Sequence, residues 1–325
     1  MSNSLVADIG GTNARFALLG ADAHGLEKAI TYPCIQFPSF ELALHHYLDA
    51  VEVTDLDNIC LAVAGPVVDE AVNFTNNAWQ IGAAELAGIF RGARVKLLND
   101  FEAVAHALPR LGEDELPRIG KAPGFISGQD SSRLCVIGPG TGLGCAGLLS
   151  QQGRRSVIVS EAGQVGFAPH TPIQLEILVA LTSRFGRITN ERLLSGPGIE
   201  NIYWALSKVR GTPSESLSAK NIFALAEGSR AGESTNELAT QTLDLFFEIL
   251  GQVAGDLALS LYAIDGLYIA GGIARRYPEV LAGSLFREGF ENKGGYRSLM
   301  ERIPTHLIIH ENPGLLGAAQ FVLGM

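Results

Sequence analysis

The chain reads as an α/β protein with two related halves, and three observations predict this. The first is the run Leu5-Val6-Ala7-Asp8-Ile9, a buried-strand pattern carrying one acid, which breaks into Gly10-Gly11-Thr12-Asn13 before a second strand over 14–19. The second is its recurrence: Val136-Ile137-Gly138-Pro139-Gly140-Thr141-Gly142-Leu143-Gly144 is again strand, glycine-threonine loop and then a strand over 145–149. The third is the alternation of strand and helix signals through the first hundred residues, which points to a sheet covered by helices.

The elements follow in order. Strands are expected over 5–9, 14–19, 59–64 and 95–98, and helices over 39–48, 83–90 and 101–108. Leu111-Gly112-Glu113-Asp114-Glu115-Leu116-Pro117 is a charged, proline-containing connector. Beyond it come the second hairpin and longer helices over 171–185, 191–208 and 236–263. The apolar stretch 254–274 is interrupted by Asp256, Asp265 and glycines that include Gly255, Gly266 and Gly271, so it reads as a buried helix followed by a strand rather than a membrane span. A strand over 306–309, the turn Asn312-Pro313-Gly314 and a helix over 315–323 close the chain.

Composition narrows the function classes. The 325 residues are enough for two domains with a sizeable core, and 47% hydrophobic with 18% charged residues describes a globular chain. A net charge of -10 argues against nucleic acid as the main partner. Cys34, Cys60, Cys135 and Cys145 lack metal-ligand spacing and read as buried thiols of a reducing compartment. The start of the chain lacks a basic n-region, so no signal peptide is expected, and the location expected is the cytoplasm.

Several segments carry groups capable of chemistry. Paired glycines let backbone N–H groups approach a phosphate, Thr12 and Asn13 add side-chain donors, and Asp8 beneath them could hold a divalent cation directly or through water. The competing reading is a tight hairpin whose strand acid pairs with Arg15. Aligning Gly11-Thr12 with Gly140-Thr141 puts Asp8 opposite Ile137, so only the first loop keeps the acid. That asymmetry fits one nucleotide between two halves, although neither loop has the Walker or the dinucleotide-binding pattern. Asn99-Asp100 ends a buried strand and opens a helix; Asn99 with Glu102 reads as a capping box, while Asp100 could act as a general base. Glu161-Ala162-Gly163-Gln164 offers an acid and an amide for vicinal hydroxyls, or else a surface turn. Glu191 is expected at the head of a helix, where the dipole favours an acid in any case. Ala270-Gly271-Gly272 would let a flat ring approach the backbone, or is a plain strand-to-helix turn. The seven histidines, among them His24, His45 and His170, form no metal-ligand pattern.

In this order the motifs resemble the bacterial glucokinase family, within the actin-like, ribonuclease-H-like sugar kinases. The similarity extends through Glu191-Arg192-Leu193-Leu194-Ser195-Gly196-Pro197-Gly198 and Asn312-Pro313-Gly314-Leu315-Leu316-Gly317, so it spans nearly the whole chain. The resemblance implies a two-domain actin-like ATPase fold with a cleft between a small domain, 1–110 completed by the C-terminal helix 312–325, and a large domain, 111–311. It implies transfer of the terminal phosphate of ATP to the 6-hydroxyl of glucose with Mg2+, the opening step of glycolysis, by a homodimer. Carried over by position, Asp100 is the base, and Asn99, Glu161, Gln164 and Glu191 join it around the sugar. Asp8 lies near the metal. Gly10, Gly11, Thr12, Asn13, Gly140, Thr141 and Gly142 surround the phosphates, with Gly271 and Gly272 near the nucleoside. One departure concerns substrate range: the family usually has histidine where this chain has Gln164, and glutamine cannot become charged. A kinase for another hexose, a sugar-sensing regulator on the same fold and an ATPase without a small acceptor are the competing readings.

Overall fold

The computed structural model describes residues 3–20, 25–74, 79–122, 131–212, 215–230, 232 and 236–324, so His24 lies outside the described residues. The chain forms two compact units, one comprising Met1–Gly112, Val157–Val159 and His310–Met325, the other Glu113–Ser156 and Ser160–Ile309.

The first unit contains β1 (Ser4–Ile9), β2 (Asn13–Leu19), β3 (Leu26–Pro33), α1 (Phe40–Val51), β4 (Asn58–Val63), β5 (Ala71–Asn73), β6 (Gln80–Gly82), α2 (Ala83–Ile89), β7 (Arg94–Asn99), α3 (Asp100–Ala107) and the C-terminal helix Pro313–Leu323. Its main sheet has the order β3-β2-β1-β4-β7, antiparallel on the hairpin side and parallel from β1 through β4 to β7. Side chains alternate across a strand, and β1 is buried on both faces. Leu5, Ala7 and Ile9 share one core with Phe40, Leu44 and Tyr47 of α1. Val6 turns the other way, into a core with Cys60, Ala62, Leu98, Ala103 of α3, and Leu315, Ala318 and Ala319 of the C-terminal helix. Asp8 has the parity of Val6.

The second unit contains β8 (Ser131–Pro139), β9 (Leu143–Gln151), α4 (Pro172–Phe185), α5 (Gly196–Arg210), α6 (Ala219–Arg230), α7 (Glu237–Ser260), β11 (Gly266–Ile269), α8 (Gly272–Arg276), α9 (Pro278–Ala282), α10 (Phe286–Glu291), α11 (Arg297–Met300) and β12 (Thr305–Leu307). With β10 (Arg154–Ser160) its sheet runs β10-β9-β8-β11-β12. β8 and β9 form an antiparallel hairpin, and β11 lies parallel to β8 and β12. Helix α7 is the spine of the core, with Leu243, Phe246, Phe247 and Leu250 fully buried. It meets α10 through glycines: a Cβ at Gly251 would collide with the Phe286 carbonyl, and one at Gly289 with that of Glu248.

The hairpin recurrence seen in the sequence is thus a recurrence of strand order. Each sheet begins with a hairpin bearing the glycine-threonine loop and adds two parallel strands beside its first strand. One sequence expectation fails. The helix expected from Glu191 starts at Gly196 instead. Ser195 caps it, its Oγ accepting from the Gly198 N–H at 3.0 Å, and Pro197 fits only the first turn. Glu191 therefore lies in the turn before the helix rather than at its head.

Candidate active site

In the first unit the candidate residues gather at the carboxyl edge of the sheet. The registers Ile9↔Val63 and Val63↔Asn99 place the ends of β1 and β7 two strands apart, about 10 Å. Open α/β sheets bind ligands at this edge. The loop 10–12 is held from below: Gly10 N–H donates to the Asn13 carbonyl at 2.9 Å, and Cys34 N–H to the Thr12 carbonyl at 2.8 Å. Gly10 has no positive φ, and a Cβ there would meet nothing closer than 3.6 Å. Neither conformation nor internal packing demands glycine, so the bare backbone leaves room for a group outside the chain. The Asp8 carboxylate is 20% exposed and 3.4 Å from Arg15 Nη1 across the hairpin. Burial pushes its pKa up, with Arg15 opposing. The Asp8–Arg15 pair of the simpler reading therefore exists alongside the open loop.

Asn99 caps α3. Its Oδ1 accepts from the N–H groups of Phe101 (2.9 Å) and Glu102 (3.3 Å), Glu102 returns the bond to Asn99 N–H at 3.1 Å, and Asn99 Nδ2 donates to the Gly65 carbonyl at 3.2 Å. The amide is fixed by its own unit. Asp100, the first residue of α3, is partly buried, and its Oδ1 accepts from Phe101 N–H at 2.9 Å.

In the second unit one carboxylate ties three candidate segments together. Glu191 Oε2 accepts from Leu143 N–H at 2.9 Å, just after the loop 140–142, and Oε1 accepts from Gln164 Nε2 at 3.0 Å. A Cβ at Gly142 would fall 2.5 Å from Glu191 Oε2, and one at Gly163 would collide with the Leu143 carbonyl. Glu191 N–H also donates to the Gly163 carbonyl at 2.9 Å. Glu161 precedes this turn and is exposed, its carbonyl accepting from Gln164 N–H at 2.9 Å. Thr141 is exposed at the loop tip, and Gly140 has open space where a Cβ would stand. Gly271 is required internally: its φ is +92°, and a Cβ would strike the Pro139 carbonyl. At Gly272, the first residue of α8, nothing lies within 4 Å of that position.

Comparison with known proteins adds an independent line. The sequence profile of the Glucokinase family matches residues 5–325. The chain belongs to the glucokinase family. It is 42% identical over 320 residues to the Glucokinase of Caulobacter sp. (strain K31), an alignment covering 97% of this chain and 93% of that one. Among solved structures, a glucokinase from an Antarctic psychrotroph superposes with a TM-score of 0.87 at 35% identity, covering 100% of both chains. A glucokinase from Balamuthia mandrillaris, crystallised with glucose, superposes with a TM-score of 0.80 over 100% of this chain and 94% of that one; at 23% identity it bears on the fold alone. The two-sheet architecture is accordingly the actin-like ATPase fold of the glucokinases, and the chain is a hexose kinase.

Two residues in contact with these candidates carried no role in the sequence. Gly65, whose φ is +139°, supplies the carbonyl that anchors Asn99; the Gly-Pro step after an apolar strand was its only signal in the sequence. Gly314, from the other end of the chain, lies against Asp8. No cluster of three metal-ligating side chains occurs among the described residues. A single carboxylate, Asp8, beside a candidate phosphate loop is a donor set that Mg2+ could use, since that ion keeps most of its shell as water and phosphate oxygen. No helix among the described residues is long and apolar enough to cross a membrane.

Proposed function

We propose that this member of the glucokinase family transfers the terminal phosphoryl group of ATP to the 6-hydroxyl of D-glucose, with Asp100 as general base. The observation that carries the reading is the shared edge of the first sheet, where Asp100 opens α3 beside β7 and the bare loop 10–13 follows β1. Acceptor chemistry and phosphate chemistry would then share one edge of one sheet, on strands separated by β4.

Asp100 takes the proton of the 6-hydroxyl as that oxygen forms its bond to the γ-phosphorus. The bond from phosphorus to the β,γ-bridging oxygen breaks, and ADP leaves with the electron pair. Asn99, Glu161, Gln164 and Glu191 orient the sugar. The cap on Asn99 and the Leu143 and Gln164 contacts on Glu191 fix two of these groups before the sugar arrives, which lowers the ordering cost of binding. Gly10, Gly11, Thr12 and Asn13, with Gly140, Thr141 and Gly142, surround the phosphates: Thr12 and Thr141 offer hydroxyls, Gly10 and Gly140 close their own loops through their N–H groups, and Gly271 and Gly272 flank the nucleoside. Asp8 would hold Mg2+, which when bound offsets the charge of the phosphates. The enzyme works in the cytoplasm as a homodimer.

Release of ADP from Mg-ATP should be measured with glucose, mannose, fructose, glucosamine, N-acetylglucosamine and no sugar. Glucose should stimulate release most, by at least a hundredfold over the sugar-free rate. Stimulation by another sugar alone would move the substrate, with Gln164 the first position to change. Hydrolysis indifferent to every sugar would overturn the kinase reading.

A further inference from the structure

The alternation of β1 sends Asp8 to the face of Val6, and that face is covered by the C-terminal helix through Leu315, Ala318 and Ala319. The row therefore ends in a carboxylate lying over the first turn of an 11-residue helix. At Gly314, the second residue of that helix, the three atoms nearest to a Cβ would all belong to Asp8: Cγ at 3.2 Å and both carboxylate oxygens at 3.4 Å. Gly314 has no positive φ, so its backbone conformation does not call for glycine. Gly317, nearly one turn on, contrasts with it: a Cβ there would collide with the Ala103 carbonyl of α3. One glycine of the helix thus faces main chain, which cannot yield, and the other faces the end of a side chain, which can.

We propose that Gly314 is a positioning residue for the phosphoryl-transfer site: its missing side chain lets the Asp8 carboxylate rest on the first turn of the C-terminal helix. There the carboxylate lies between Arg15 and the positive end of the helix. A methyl group at 314 leaves the fold intact and pushes the carboxylate aside by a few tenths of an ångström. The consequence is functional, at Asp8, rather than structural. The proposal rests on the reading of Asp8 as the Mg2+ carboxylate.

The test is titration of ATP into the full chain by calorimetry at a series of Mg2+ concentrations, with thermal melts, for wild type, Gly314→Ala, Gly317→Ala and Asp8→Asn. Gly314→Ala should raise the Mg2+ concentration needed for half-maximal tightening of ATP binding by fivefold or more, while melting within about 2 °C of wild type. Gly317→Ala should melt lower without that shift. An unchanged Mg2+ dependence in Gly314→Ala, with a loss in Asp8→Asn, would overturn the proposal and leave the Asp8 reading standing. An unchanged dependence in Asp8→Asn would overturn both. Should Gly314→Ala melt early, the double variant Asp8→Ala/Gly314→Ala decides: restored melting supports the contact, and equally low melting overturns it.

Discussion

Glu102 shows how a single side chain can serve a helix and still cost the fold something. Its carboxylate closes the capping box on Asn99, yet burial raises its pKa, with the Asn99 N–H and Lys96 only partly opposing. A raised folded-state pKa means that the folded protein holds the proton more tightly than the unfolded chain. The stability associated with protonated Glu102 is complete below the unfolded value of about 4.3 and is lost as pH rises through the folded value. Glu102→Gln keeps the acceptor and removes the charge. It should therefore melt at or above the wild-type temperature at pH 7, with the gap closing as pH falls toward 4; a gap that widens toward acid pH would contradict this. Asn99→Ala removes the other half of the box and should cost about 1 kcal/mol of stability, read by denaturant unfolding, together with weaker glucose binding in calorimetry. The four cysteines are buried and free, and burial pushes the Cys60 thiol up to about 12, so it stays protonated. That behaviour matches what their scattered spacing in the sequence suggested.

The legible elements are those whose signals are local. The Asn99-to-Glu102 spacing announced the start of α3, and the apolar runs marked β1 and β4 because strands buried on both faces need hydrophobic side chains in both directions. Strands β3 and β10 were not legible: they are partly or fully exposed, rich in charge and held by their neighbours in the sheet rather than by pattern. The start of α5 was misplaced because Glu191 suits a helix N-terminus electrostatically, whereas Ser195-Gly196-Pro197-Gly198 holds the actual cap. Packing between elements joins residues far apart in the chain, so no local pattern carries it. Gly251 of α7 sits under the Phe286 carbonyl, so Gly251→Ala must push α10 away. A loss of about 1–3 kcal/mol in denaturant unfolding is expected, with the glucose KM of the folded fraction unchanged. A stability equal to wild type would mean that the two helices do not cross that closely.

At the scale of the molecule, two sheets share one strand order, and their matching hairpins differ in one acid. Asp8 stands on β1, and Ile137 takes the aligned position on β8, where it is buried in the core. The sequence carried that comparison because each hairpin is contiguous. It could not carry the ties between distant segments: Leu143 to Glu191, Asn99 to Gly65, or Gly314 against Asp8. Each joins residues that no local pattern relates, and each orients a group named as a candidate from its chemistry alone. The proposed transfer to glucose depends above all on Asp100 as the base. Its most direct test is glucose-dependent ADP release by Asp100→Asn beside wild type, with glucose affinity measured by calorimetry on both. The expected result is a fall in kcat of roughly 10²–10⁴ with glucose Kd within about fivefold of wild type. A variant turning over within tenfold of wild type would contradict the account.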